Sequence, residues 1–454
     1  MKQTALRKSA CWIALACLVV PMFASYFFDD MFSTISYLFE DPARTQLGWD
    51  AVGYGLYTSG YSVLCVFGGL VVCGILLDKW GVRVTGSLFV GMMVAGAATV
   101  LHAITAGLPP QRSLRIAYVG CMFFGLGSEI AGTAVTRSIA KWFRHGPMAL
   151  AMGLQLAIAR LGTALALVLA PRLVVENSGH VYTLAETARP AVFGLGLMAA
   201  GLVLWAVFVA MDERFDRAGI PGQARNDADG ATDADAFRFA DVLGVLKNGN
   251  FWLVGLLCVL FYSSIIAFKK FAGAILIPRF AIPADTAGWM VSMLPFATVV
   301  FAPLFGLLVD KRGRGTRWMV LGSLLALLAH LLLTFAPQGV PLFGYLAMVL
   351  LGFGYSLVPA ALWPSVPKIV PDKVLGTTFA LVYWVQNLGL LSFKMLAGWI
   401  LGNASGGPDA AVHGAFSVEL MFTGLCVAAV AVALLFARSS QRHPELGLDV
   451  PNNA

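Results

Sequence analysis

Two opposite charges stand where charges are costly. Glu129 and Arg160 lie deep inside long apolar stretches, and an ionised side chain at the centre of a bilayer costs about 2.5–3.5 kcal/mol by insertion scales. A carboxylate accepts bonds from an ammonium group, and a guanidinium grips a carboxylate with two parallel donors. A Glu and an Arg facing one cavity therefore form a receptor for the two ends of a zwitterion. Lys269, Lys270, Lys394 and Arg137 also fall in apolar runs. Arg137 is near the end of its run and can snorkel. Lys269 and Lys270 are adjacent, so about 100° apart on a helix; one is expected to face a cavity and the other to reach toward the surface. Lys394 reads equally as cavity-facing or snorkelling. Smaller candidates for the binding surface are Gln155, Tyr262, Trp363, Tyr383, Gln386 and Asn387, with Asp30 and Trp384 beside them. Any single aromatic among these is more often helix packing or interfacial belt than substrate wall.

The elements holding these residues follow from composition. The 454 residues are 59% hydrophobic and 12% charged, against about 25% charged in an average soluble domain. A mean hydropathy of +0.79 excludes disorder, collagen and an ordinary soluble fold. The net charge of +7 does not indicate nucleic acid, because no Lys/Arg cluster is interleaved with aromatics. The cysteines sit in apolar runs without a CxxC pair, so neither a zinc site nor a disulfide framework is expected. No metal or other cofactor is expected. The basic, then apolar N-terminus resembles a signal peptide, but with so many apolar runs behind it, it reads as a first span that stays attached.

A bilayer core needs about 20 apolar residues per helix. Suitable runs lie near 10–28, 51–77, 84–106, 114–140, 147–172 and 189–210, and again near 250–277, 286–309, 317–336, 342–368, 374–400 and 414–437. This predicts an all-α membrane protein of twelve transmembrane helices in two six-helix bundles. The bundles are 1–210 and 249–437, joined by a flexible linker at 211–248 and followed by a tail at 438–454. Roughly 20 Lys and Arg fall on one side and roughly 6 on the other, which puts both termini in the cytoplasm. The Asp-, Ala- and Gly-rich linker has no apolar period and reads as a tether.

An internal repeat divides the chain. Gly74, Asp78, Lys79, Gly81 and Arg83 lie between the second and third spans. Gly306, Asp310, Lys311, Arg312, Gly313 and Arg314 occupy the same place between the eighth and ninth. A single copy could be an ordinary cytoplasmic turn; two in register point to a two-half transporter. The pattern resembles the signature loop of the major facilitator superfamily. That resemblance implies alternating access around a central cavity, with the loop Asp and Arg latching the cytoplasmic side in the outward-open state. The chain departs from proton-coupled members in carrying Cys121 where many have an Arg before Gly125-Leu-Gly127, and in lacking the Gly-Pro motif of span 5.

Within the superfamily, GLGSEIAGTAV, GLQLAIARLGT, SYFFDD, FWLVGLLCVLFY, APLFGLLVDKRGRG and WPSVPKIVPDKVLGTTFALVYWVQNLGL resemble the lysosomal dipeptide transporter branch. That likeness implies that Glu129 meets a peptide's amine and Arg160 its carboxylate. Lys394 is a departure from that branch. The expected function is a secondary transporter of a small zwitterion, dipeptides foremost, and not an enzyme. The alternative is an organic anion, monocarboxylate or dicarboxylate transporter using Lys269, Lys394 and Arg160. The expected partners are the small-molecule substrate and the lipid bilayer, with no nucleic acid and a monomer as the working unit. Short loops suggest a bacterial cytoplasmic (inner) membrane. Pro359, Pro364 and Pro367 suit a bending helix in span 10. His102 and His330 read as structural, and Asn403-Ala-Ser405 is one chance match to a glycosylation sequon.

Overall fold

The computed structural model describes residues 2–39, 41–143, 148–174, 180–217, 244–370, 375–404 and 410–451. Regular structure among them is helical, apart from one isolated bridge between Thr45 and Tyr182. Arg144, Lys373, Ser405 of the sequon, residues 218–243 of the expected linker and the last residues of the expected tail lie outside the described residues. So do the side chain of Asp78 in the first signature loop and the surroundings of Gly74.

The N-terminal half comprises α1 (Lys2–Asp30), α2 (Ala51–Leu64), α3 (Leu70–Thr105), α4 (Pro110–Trp142), α5 (Met148–Leu173) and α6 (Leu184–Arg217). The C-terminal half comprises α7 (Gly249–Lys270), α8 (Ala272–Phe280), α9 (Ala284–Arg312), α10 (Gly315–Phe335), α11 (Pro341–Ile369), α12 (Leu375–Gly402) and α13 (Ala410–Arg442). Helices are the form in which a backbone surrounded by hydrocarbon can satisfy its own polar groups. Ten stretches among the described residues are long and apolar enough to cross a membrane. The expected spans near 51–77 and 374–400 are not among those ten; they fall on α2 with the start of α3, and on α12.

Helix breaks sit where the sequence puts glycine. Between α2 and α3 the backbone bends at Gly68 (φ 94°), and within α3 it leaves helical geometry at Gly81 (φ 74°). The second signature glycine, Gly313, also has positive φ (61°). Both copies of the repeat thus use glycine where a side chain would be strained.

Packing repeats the sequence repeat. In the N-terminal half α1 packs on α5 and α6, α4 on α2 and α3, and α3 on α6. In the C-terminal half α7 packs on α12 and α13, α11 on α9 and α10, and α10 on α13. The halves meet along α2 against α12 and α5 against α9, a pair of contacts that the same correspondence exchanges. At the first, a Cβ on Gly398 would lie 2.6 Å from the Ala51 carbonyl, so only glycine permits this approach.

At the end of the bundle that carries the signature loops, each half is tied internally. Arg83 donates to Asp212 at 2.7 Å and pairs with Asp216. Lys141 and the Trp142 indole bind Asp212 at 2.9 and 2.8 Å. The resemblance implies that Arg83 latches this end; here its partners lie on α6 of its own half. In the C-terminal half, Asp449 accepts from the Thr316 amide and hydroxyl at 3.0 and 2.9 Å and from Ser440 at 2.8 Å. Lys368 donates to the Gly447 carbonyl at 3.0 Å, and Leu448 is buried. Residues 443–451 are therefore a docked strap that caps the start of α10. Asp449→Ala is expected to cost about 1 kcal/mol through loss of that cap. It should appear as a lower melting temperature in detergent; an unchanged melting temperature would show the strap is not holding α10.

Candidate functional site

Close helix approaches position the charged pair. A Cβ on Gly125 would collide with the backbone of Tyr61, so α4 lies directly on α2, and Glu129 emerges one turn further along beside the Tyr61 side chain. A Cβ on Gly162 would collide with the Phe23 carbonyl, which presses α5 against α1 and brings Arg160 beside Tyr26. Tyr61 donates its hydroxyl proton to Glu129 Oε1 at 3.1 Å. Arg160 donates to the Tyr355 hydroxyl at 3.0 Å, and its guanidinium lies over the rings of Tyr26 and Tyr355 at 5.7 and 5.2 Å. Tyr26 lies within Coulombic reach of both Arg160 and Glu129. Neither Glu129 nor Arg160 forms an ion pair among the described residues, and both are half-buried. Arg160 borders a small cavity of about 10 Å³, lined also by Thr163, Ile265, Lys269, Leu294 and Tyr355. A carboxylate and a guanidinium thus both act on Tyr26.

The C-terminal half supplies an aromatic wall. The Trp363 indole donates to the Tyr262 hydroxyl at 3.0 Å, and Trp363 stacks on Tyr383 with centroids 4.9 Å apart. Tyr262 lies edge-on to Tyr355 at 6.1 Å. Tyr383 is within Coulombic reach of Glu129 and Tyr26 and is 42% exposed. Gln155 is buried on α5. Gln386 accepts from the Cys258 thiol at 3.3 Å, and Asn387 donates to the Tyr383 carbonyl at 3.1 Å. Trp384 crosses to the other half, donating to the Val66 carbonyl at 2.7 Å.

The lysines behave differently from the sequence expectation. Lys269 borders the cavity, but its ammonium is 2.6 Å from Asp30. Lys270 does not reach the surface: its side chain is 1% exposed, paired with Asp29 at 2.7 Å and Asp30 at 2.9 Å. Asp30 also accepts from Thr163 at 2.8 Å. These pairs join α1 to α7 at the end opposite the signature loops. The segment after α1 reinforces the seam. Gly273 donates to the Ser33 carbonyl at 3.0 Å, Ala274 to Ser36 at 3.0 Å, and Tyr54 to the Lys270 carbonyl at 2.8 Å. Lys394 is buried, donates to the Thr58 carbonyl at 3.3 Å and lies 5.4 Å from the centre of the Tyr61 ring.

Sequence reasoning missed Tyr26, Tyr61 and Tyr355, which hold the two central charges. Hydrogen-bonding aromatics on the same spans were the signal, but tyrosine is too common in membrane helices to stand out. Glu419 was also missed, because five residues into its run it reads as a helix end. It is buried and bonded to His330 Nδ1 at 2.9 Å between α13 and α10. Arg137 is exposed.

The family model of the Major Facilitator Superfamily matches residues 22–271 and 270–450. The lysosomal dipeptide transporter MFSD1 of Danio rerio is 29% identical over 423 residues, covering 91% of this chain and 84% of the relative. That of Homo sapiens is 27% identical over 356 residues, covering 77% and 70%. Among solved structures, the nucleoside transporter NupG superposes with a TM-score of 0.69 at 13% identity over 93% of this chain and 98% of that one. A bacterial homologue of the human lysosomal transporter Spinster, inward-facing and occupied, gives 0.67 at 13% identity over 94% and 97%. These two likenesses bear on the fold alone.

Proposed function

This chain belongs to the major facilitator superfamily, and we propose that it is a secondary transporter carrying dipeptides across a membrane by alternating access. It is an integral, multi-pass membrane protein of a transporter family. In this reading twelve spans form two bundles, 1–210 and 249–437, with the linker, the tail and both termini on the cytoplasmic side. The signature-loop end is then cytoplasmic, the Asp30–Lys269–Lys270 seam closes the outer side, and the cleft faces inward.

One observation carries the substrate reading. Glu129 and Arg160 are both half-buried, both lie within Coulombic reach of Tyr26, and neither has an ion pair with the other or with another described residue; we read them as facing one cleft. A peptide ammonium at Glu129 and a peptide carboxylate at Arg160 would supply the missing partners with charge-assisted bonds. Arg160 already bridges the halves through Tyr355, so a carboxylate bound there bears on how the halves close. The names of the relatives agree with a dipeptide substrate. They refer to lysosomes, and so give no support to the bacterial membrane suggested by the loops. An organic-anion carrier using Lys269, Lys394 and Arg160 is disfavoured, because Lys269 is already neutralised by Asp30.

A thermal-shift screen of the purified protein tests the reading. A ligand at a hundred times its Kd stabilises by about 2.7 kcal/mol. Ala-Ala should raise the melting temperature where alanine and succinate do not; stabilisation by succinate alone would favour the anion carrier.

A further inference from the structure

The charges between the two halves do not balance. Among the described residues buried or half-buried between the halves, the cations are Arg160, Lys269, Lys270 and Lys394, and the carboxylates are Asp29, Asp30 and Glu129; Arg172, over Trp289 of the other half, is exposed to solvent or lipid. Lys269 and Lys270 are matched by Asp30 and Asp29 in direct ion pairs. Lys394 and Arg160 remain, with Glu129 as the one carboxylate left between them. Lys394 touches no carboxylate. It is 2% exposed, held by the Thr58 carbonyl and by the face of Tyr61, whose hydroxyl is bonded to Glu129. It lies within Coulombic reach of Glu129.

A zwitterionic peptide brings one positive and one negative end and leaves this excess in place. A peptide with one additional carboxylate removes it. In a low-dielectric cleft an uncompensated charge is costly, and charges several ångströms apart still act on one another. We propose that Lys394 is a specificity-determining residue that biases the carrier toward dipeptides with an acidic first residue and against those with a basic one. The first residue is the one concerned because Lys394 lies behind Tyr61, at the Glu129 end, where the peptide amine is expected. Lys394 acts through its field across the Tyr61 ring rather than by touching the peptide. This inference rests on the dipeptide reading above.

The test is competition against labelled Ala-Ala uptake in proteoliposomes by unlabelled Glu-Ala, Ala-Ala and Lys-Ala. Wild-type protein should rank them Glu-Ala, then Ala-Ala, then Lys-Ala, with at least about a fivefold difference in half-inhibitory concentration between first and last, equivalent to about 1 kcal/mol at 1.4 kcal/mol per tenfold. Lys394→Gln should bring that ratio below twofold, and Lys394→Arg should preserve it. A lysine serving only helix packing would leave the ratio unchanged in Lys394→Gln. The wild-type ranking needs no variant and decides first: Ala-Ala uptake without charge ranking overturns this inference and leaves the dipeptide reading standing. No uptake of labelled Ala-Ala overturns both.

Discussion

Replacing Arg160 by alanine is expected to abolish dipeptide uptake in protein that still folds and inserts. The guanidinium is half-buried, borders the cavity and donates to one described side chain, the Tyr355 hydroxyl. Its loss leaves the architecture intact, because the halves are joined elsewhere by the Asp30 seam and the glycine contact of α12 with α2. For the substrate the loss is larger. Truncating one partner of a buried, hydrogen-bonded charge pair costs about 2–5 kcal/mol, which is roughly thirtyfold to several-thousandfold in affinity. Arg160→Lys should recover only part of this, since an ammonium keeps the charge but loses the planar fork that matches a carboxylate. Initial uptake rates of labelled Ala-Ala, normalised to inserted protein, check the effect. Wild-type uptake by Arg160→Ala would remove Arg160 from the site.

The second large effect is expected at Asp30. This carboxylate accepts from Lys269, Lys270 and Thr163 in a fully buried setting. Asp30→Asn keeps the shape but removes the charge that neutralises two ammonium groups, leaving Asp29 on Lys270 alone. Breaking a buried pair by removing one partner costs about 3–5 kcal/mol. Part of that cost is avoided if the seam parts and water reaches the lysines. The variant should therefore melt lower and expose the segment after α1 more often. A Thr34→Cys reporter, at a site buried in the seam, should react faster with a membrane-impermeant thiol reagent when Asp30 is Asn, in a background lacking the native cysteines. Replacing Asp29, Asp30, Lys269 and Lys270 together by Asn, Leu, Met and Met should recover most of the melting temperature, because apolar replacement of a whole buried ionic cluster is often neutral or stabilising. Unchanged melting and labelling in Asp30→Asn would show that the seam does not hold this end closed.

The sequence made visible the features that rest on local pattern. Apolar length placed the helices, and the spacing of Gly81 and Gly313 revealed a repeat whose backbone needs positive φ at both positions. Depth within a run singled out Glu129 and Arg160, because a charge there must have a reason. Features that depend on distant partners stayed hidden. One of Lys269 and Lys270 is expected to reach the surface, yet Lys270 is buried against Asp29 and Asp30, more than two hundred positions away. The stretch from Phe32 to Trp49 lies between the first two expected spans, yet Phe32, Phe39 and Trp49 are buried, and Phe39 stacks on Tyr54 at 4.7 Å. Its aromatic content was the available clue. The docking of Asp449 on α10 had no local signature at all, since an Asp after a helix is ordinary until its acceptor atoms meet Thr316. Tyr26, Tyr61 and Tyr355 share this limit: their meaning lies in which charge each hydroxyl or ring meets.

The central claim is that the cleft between the halves carries a peptide by both of its ends. Counterflow tests it most directly, because it needs transport but no knowledge of the driving ion. Proteoliposomes loaded with unlabelled Ala-Ala should accumulate labelled Ala-Ala from outside, while liposomes loaded with N-acetyl-Ala-Ala or Ala-Ala-amide, each lacking one charged end, should not. Accumulation that is indifferent to blocking either end, or that occurs only with a dicarboxylate inside and outside, would contradict the account.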